Sequence, residues 1–324
     1  MALQPDEIAK MEIKVKMNNT IPPDNEKTAT DSPQNAADSL QNKEQDKQQD
    51  KEAMPSIADM WPALGQRRFG RMNWVGLWTL YIKEVRRFWK VGVQTVAAPV
   101  ITTMLFLMIF SLALGRVRPD INGVPFTSFL APGLIIMAML QNAFANTSSS
   151  LVTSKLQGNI IDILMPPLSA SELNIGLVFG GVTRGLVVGL FTYFGMLYMA
   201  DFTYAAPWAI FYFAISACFT LALLGMLTGI WAEKFDHMQA ITNFIIMPLS
   251  FLSGTFYSVQ QLPEFMKIIT IFNPFFYMID GFRYGFTGQS ESNIVLGAVA
   301  LFVLNLSLWC ISQYMLIKGY KIKN

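Results

Sequence analysis

Six runs between residues 91 and 317 are long and apolar enough to cross a bilayer, and no other feature constrains the fold as much. A spanning helix needs about 20 mainly apolar residues, because lipid offers its backbone groups no partners. The runs cover residues 91–114, 129–149, 173–199, 207–231, 240–257 and 294–317. A seventh apolar stretch, 265–278, is too short to span and is interrupted by Pro263 and Pro274. It reads as one or two short re-entrant or interfacial helices between the fifth and sixth spans. Charged residues make up only 14% of the chain, against about 25% in soluble domains. The expected fold is therefore an all-α integral membrane protein with six transmembrane helices.

The remaining sequence divides in two. Residues 1–55 are rich in Lys, Gln, Asn, Asp and Glu, and cannot bury enough apolar surface to offset ordering entropy. They read as a disordered polar tail, without the apolar core and cleavage site of a signal peptide. Residues 56–90 form a cytoplasmic or interfacial helical segment. Within it, Trp74, Leu77, Trp78, Tyr81, Ile82, Val85 and Trp89 recur at helical spacing, with Lys83, Glu84, Arg86, Arg87 and Lys90 crowding the end. That pattern suits an interfacial helix with basic groups near anionic lipid. Residues 91–324 form the membrane domain. Basic loop residues place both termini in the cytoplasm: Arg67, Arg68, Arg71, Arg86, Arg87, Lys155, Lys234 and Lys318 fall on one side, and only Arg116, Arg118, Lys267 and Arg283 on the other.

The sequence excludes several chemistries. It holds no phosphate loop, no Gly-x-Ser-x-Gly and no His-Glu-x-x-His, so covalent and nucleotide chemistry are not expected in this chain. A single histidine, two cysteines and a net charge of +2 argue against a metal centre, a disulfide framework and a nucleic-acid footprint. Few ionisable groups lie inside the spans, which disfavours a proton relay or a charged selectivity ring. Gly181, Gly185 and Gly189 recur every fourth residue in the third span, a face on which another helix can approach closely. Arg184 sits within that face and must meet protein, water or an anionic group. Ser169 or Ser171 is placed to cap the third span after Pro166-Pro167. Asp280 and Arg283, three apart, could pair on one helix.

Two stretches carry a resemblance. Phe251-Leu-Ser-Gly-Thr-Phe-Tyr257, with Leu262-Pro263, Asn273-Pro274, Tyr277, Asp280 and Arg283, resembles the C-terminal pattern of ABC-2 type permeases. Asp162-Ile-Leu-Met-Pro-Pro-Leu-Ser169, followed by Gly180-Gly-Val-Thr-Arg-Gly185, is similar to the loop and third span of that family. Within it, the bacterial drug, polysaccharide and lipo-oligosaccharide export permeases look most similar. The resemblance implies a non-enzymatic permease subunit of an ATP-driven exporter in the inner membrane, surrounded by membrane lipid. It implies a second permease copy, expected as a homodimer, and two separate ATP-binding subunits that hold the ATP, with no cofactor in this chain. It implies ATPase contact through Ile160, Ile161, Ile163 and Leu164 and through the interfacial helix at Arg86 and Arg87. Arg184, Gly254, Asn273, Asp280 and Arg283 are the transport or gating candidates. The alternative is a secondary carrier or channel acting without an ATPase.

Overall fold

The computed structural model describes residues 72–115, 120–121 and 123–321, with only the backbone at Leu114 and Leu164. The polar tail, residues 56–71, Arg116, Arg118 and Lys323 lie outside the described residues. Helices begin where the sequence supplies a cap. Asn73 Oδ1 accepts from Gly76 N at 2.9 Å and starts α1 (Trp74–Lys90), whose last turn carries Arg87 and Lys90 against the helix dipole. A π-helical turn, Val93–Ala97, leads into α2 (Ala98–Leu114). A two-residue hairpin, β1 (Asp120–Ile121) and β2 (Val124–Pro125), turns on Gly123 at φ +79° and delivers the chain to α3 (Phe126–Leu156). The short α4 (Ile160–Leu164) is stopped by Pro166-Pro167. Ser169 then opens α5 (Ala170–Met196) with a full capping box: Glu172 N donates to its Oγ at 3.3 Å, and its own N donates back to Glu172 Oε2 at 2.6 Å.

The second half continues with α6 (Pro207–Trp231), then α7 (Phe235–Ile241), a second π turn (Thr242–Ile246) and α8 (Met247–Phe251). Two short helices follow, α9 (Glu264–Phe272) and α10 (Pro274–Thr287), before α11 (Ile294–Lys318). Among the described residues, five helices are long and apolar enough to cross a membrane: Val93–Ala113, α3, α5, α6 and α11. They fall on the first, second, third, fourth and sixth expected runs. The fifth run differs. Its helical stretch runs from Phe235 to Phe251 with a π turn inside, and residues 252–257 turn away instead of extending it. The apolar stretch at 265–278 does break at Asn273-Pro274, into α9 and a longer α10 that reaches Thr287.

The centre of the bundle is α3. Its most apolar window is 89% buried, against 22% for α11 and 6% for the first span. Lipid is as apolar as leucine, so helices gain little hydrophobic energy by associating and rely on close packing. Glycines provide that closeness. A Cβ at Gly181 would lie 2.5 Å from Thr147 Oγ1 on α3, and one at Gly185 would lie 2.8 Å from Cys218 Sγ on α6 and 3.0 Å from the Met139 carbonyl. From α6, a Cβ at Gly225 would lie 2.5 Å from the Phe144 carbonyl. The glycine face predicted for the third span is therefore a three-helix seam.

α1 runs lengthwise along the first half of α5. A Cβ at Gly176 would strike Leu80 Cδ2 at 2.7 Å, and one at Gly180 would strike Glu84 Cβ at 2.6 Å. The backbone N–H of Asn73 donates to Glu172 Oε1, which fixes the two helix starts side by side. Its buried stripe is Leu80, Glu84 and Phe88, while Trp74, Trp78 and Trp89 stay exposed.

Gly185→Leu is expected to overpack the seam and destabilise the fold by about 1–3 kcal/mol or more, read as a lower melting temperature in detergent. Gly92→Ala, where an added Cβ meets nothing within 4 Å, is the matched control and should be neutral. Equal melting of the two variants would refute the seam.

Candidate functional site

Three clusters hold the functional candidates. The first lies half-way along the bundle, between α1, α3 and α5. Glu84 is 1% exposed. Its Oε1 accepts from Ser150 Oγ at 2.8 Å, and its Oε2 pairs with Arg87 Nη2 at 3.1 Å. Arg87 also donates to the Asn146 carbonyl (2.7 Å), Asn146 Oδ1 (3.0 Å) and Ser149 Oγ (3.2 Å). Arg87 is thus engaged inside this chain, whereas Arg86 points outward. One turn along α3, Asn142 Oδ1 accepts from Arg184 Nη2 at 3.0 Å. Arg184 makes no ion pair among the described residues, and its Nε is buried without a partner. Asn142 and Asn146 were not singled out from the sequence, and Glu84 was read only as one of the charges crowding the end of the interfacial helix. A carboxylate on the 80–84–88 stripe, and two asparagines four apart in an apolar span, were the available signals.

The second cluster gathers Gly254, Asn273, Asp280 and Arg283 around α10. Asp280 and Arg283 do not pair. Asp280 instead accepts the backbone N–H groups of Glu291 (3.0 Å) and Ser292 (2.9 Å) and the Ser292 hydroxyl (2.6 Å). Arg283 donates from Nε to the Phe129 carbonyl (3.1 Å) and from Nη2 to the Gly254 carbonyl (2.8 Å), with its guanidinium 3.8 Å above the Phe129 ring. Gly254 can present that carbonyl because its φ is +73°, a region that other residues rarely adopt. Asn273 Oδ1 caps α10 through Phe275 N (3.0 Å), while its Nδ2 donates to the Leu249 carbonyl (2.8 Å) and Ser253 Oγ (2.9 Å). Free carbonyls and N–H groups outcompeted the i,i+3 pairing that spacing alone allowed.

The third cluster is the loop between α3 and α5. Ile160, Ile161 and Ile163 do not share one face. Ile163 is 4% exposed and joins this chain's own core, and Ile160 packs against it partly buried. Ile161 is 58% exposed, and Met165, a residue not anticipated, is 77% exposed. Near the same end of α3, Lys155 Nζ donates to the Ile230 carbonyl and, at 3.3 Å, to the Ala232 carbonyl at the end of α6. Lys321 donates to Glu233 at 2.8 Å and holds that exposed carboxyl below its usual range. Trp208 and Phe211 are exposed, and the Tyr212 hydroxyl donates to the Ala298 carbonyl at 2.7 Å.

Residues 75–287 match the ABC-2 type transporter family. The chain belongs to that family. Over 241 residues it is 36% identical to "Inner membrane transport permease YadH" of Escherichia coli (strain K12), covering 74% of this chain and 94% of the relative. It is 25% identical over 244 residues to "Nodulation protein J" of Rhizobium leguminosarum bv. viciae, covering 72% and 91%. As an ABC-2 permease it is a membrane component of transport, not itself a catalyst.

Asp280→Ala should leave two backbone N–H groups and a hydroxyl without their acceptor. The expected cost is about 1–3 kcal/mol for a buried group so stranded, seen as a lower melting temperature and faster proteolysis at residues 288–293. Asp280→Asn should cost less. A wild-type melting curve for Asp280→Ala would refute the capping role.

Proposed function

We propose that this chain is a permease subunit of an ATP-driven exporter in the inner membrane, acting as a pair beneath which two separate ATPase subunits dock. Six spans are completed by the 235–251 helical stretch, with both termini cytoplasmic. α9 and α10 form the short helices on the outer side. ABC-2 membership supports the transport role, and the name of the Escherichia coli relative supports the inner membrane.

The observation that carries ATPase coupling is the pair Ile161 and Met165. Both are apolar and exposed on a proline-stopped turn between the second and third spans. The residues sit four apart, hence on one face. The chain has no nucleotide-binding loop, so the energy enters from another polypeptide. Ile163 anchors the turn to the core from the opposite side, so that a push on Ile161 and Met165 reaches α3 and α5 together. Leu164 and Arg86 remain proposed contacts beside them.

Burying one such side chain is worth about 1.5–3 kcal/mol, or about tenfold or more in affinity. Ile161→Asp and Met165→Asp should therefore insert and fold normally, yet lose co-purifying ATPase and ATP-dependent export. Ile163→Asp should instead destabilise the permease itself. Full complex formation and export by both outward variants would overturn the coupling role. Export driven by a proton gradient in the absence of ATP would favour a secondary carrier. A reporter fused after Asn324 should be active only in the cytoplasm.

A further inference from the structure

At one end of the bundle a single side chain joins two helices. Lys155 lies in the last turn of α3. Its ammonium donates to the Ile230 carbonyl and, at 3.3 Å, to the Ala232 carbonyl. Those groups close α6, and the last carbonyls of a helix have no partner within it. A cation there also meets the negative end of the helix dipole. Lys155 is therefore a C-terminal cap for α6 supplied by a different helix.

The turn that Lys155 holds is the root of α7. Only residues 232–234 separate α6 from α7. No residue of α7 is buried, so its direction depends on where it begins. There, Lys321 beyond α11 pairs with Glu233 at 2.8 Å, and the His237 ring lies 5.4 Å from the Trp231 ring. The other end of the link is the turn that carries Ile161 and Met165. α3 finishes at Leu156 and α4 starts at Ile160. Between them Gly158 takes φ +73°, and its N–H donates to the Lys155 carbonyl at 3.1 Å. A left-handed closure of this kind fixes the direction of the chain as it leaves the helix. A displacement of α4 thus passes into the last turn of α3 and, through the ammonium, into the α6–α7 turn.

We infer that Lys155 is a positioning residue that couples the α3–α5 loop to the fifth apolar run, by fixing the turn from which α7 departs. The part this link plays in ATP-driven motion rests on the export reading above; the link itself does not.

Lys155→Met removes the charge and both hydrogen bonds but keeps the length of the side chain. In the reconstituted permease–ATPase complex it should retain ATPase binding and ATP hydrolysis. Export per ATP hydrolysed should fall about fivefold or more, as when a coupling between two sites is lost. Lys155→Arg should restore the ratio. A second measurement needs no ATPase. Spin labels on Asn159→Cys and Gln239→Cys, both at exposed positions, report the separation of the loop and α7 in the permease alone, in a Cys310→Ser background. Their distance distribution should be narrow with Lys or Arg at 155 and broader in Lys155→Met. Inserting two glycines after Gly158 leaves the cap intact and slackens the turn. That insertion should lower the export ratio and broaden the distribution in the same way, which keeps the test decisive if Lys155→Met does not fold. A wild-type export ratio or an unchanged distribution in either variant would overturn the link. Loss of ATPase binding by Lys155→Met would make Lys155 a docking contact and overturn the positioning role. Absence of ATP-driven export in the wild type would overturn the export reading alone, and the label distances would still decide the link.

Discussion

Everything in this bundle depends on how closely α5 and α6 approach α3. In lipid, that approach must be won by packing and by hydrogen bonds that lipid cannot supply. Glycine at 181, 185 and 225 brings backbone against backbone, so that the Met139 and Phe144 carbonyls lie within contact of positions that have no side chain. Once α3 is enclosed, its length becomes a scaffold. Its first turn presents the Phe129 carbonyl to Arg283, its middle presents Asn142 and Asn146 to two arginines, and its last turn carries Lys155 to the end of α6. Each functional cluster hangs on this one helix.

The polar groups are placed by the same economy. A buried charge is tolerated only when its hydrogen-bonding capacity is met. Arg283 meets that demand with carbonyls, and Asp280 with N–H groups; each ties a loop to α10 without pairing with the other. Glu84 is the exception that uses a cation, and Arg87 serves both Glu84 and α3. Arg184 stands apart because nothing charged answers it.

Much of the fold was legible in the sequence, for a physical reason. The requirement for about 20 apolar residues is local, so runs such as 207–231 coincide with their helix. The capping box at Ser169 and the stop at Pro166-Pro167 are local too. What escaped was whatever depends on a partner distant in sequence. Spacing placed Asp280 and Arg283 together, but the competing N–H groups arrive from residues 291 and 292 and the competing carbonyls from 129 and 254. The resemblance grouped Ile160, Ile161, Ile163 and Leu164 as one contact, yet a single turn sends Ile163 inward and Ile161 outward. Glu84 hid on an amphipathic helix, where a carboxylate ordinarily faces water.

The first and fifth expected runs share a construction. In each, a five-residue π turn is followed by an α-helix with proline at its second position: Val93–Ala97 before Pro99, and Thr242–Ile246 before Pro248. Proline has no N–H to give the carbonyl four residues back, and its ring crowds that carbonyl. A π turn widens the helix there. Ala98 N reaches back five residues to the Val93 carbonyl, and Met247 N reaches the Thr242 carbonyl in the same way. The wider turn makes room for the ring and leaves carbonyls without a full α-helical partner. Such turns are common where helices bend or serve a function. These two helices are also loosely held: the first span is 6% buried, and Phe244 and Ile245 in the second π turn are exposed. The seam of α3, α5 and α6 is rigid because its glycines admit no slack. The two proline-bearing helices around it combine a weakened hydrogen-bond ladder with few contacts, so they resist bending less than the glycine-packed seam does.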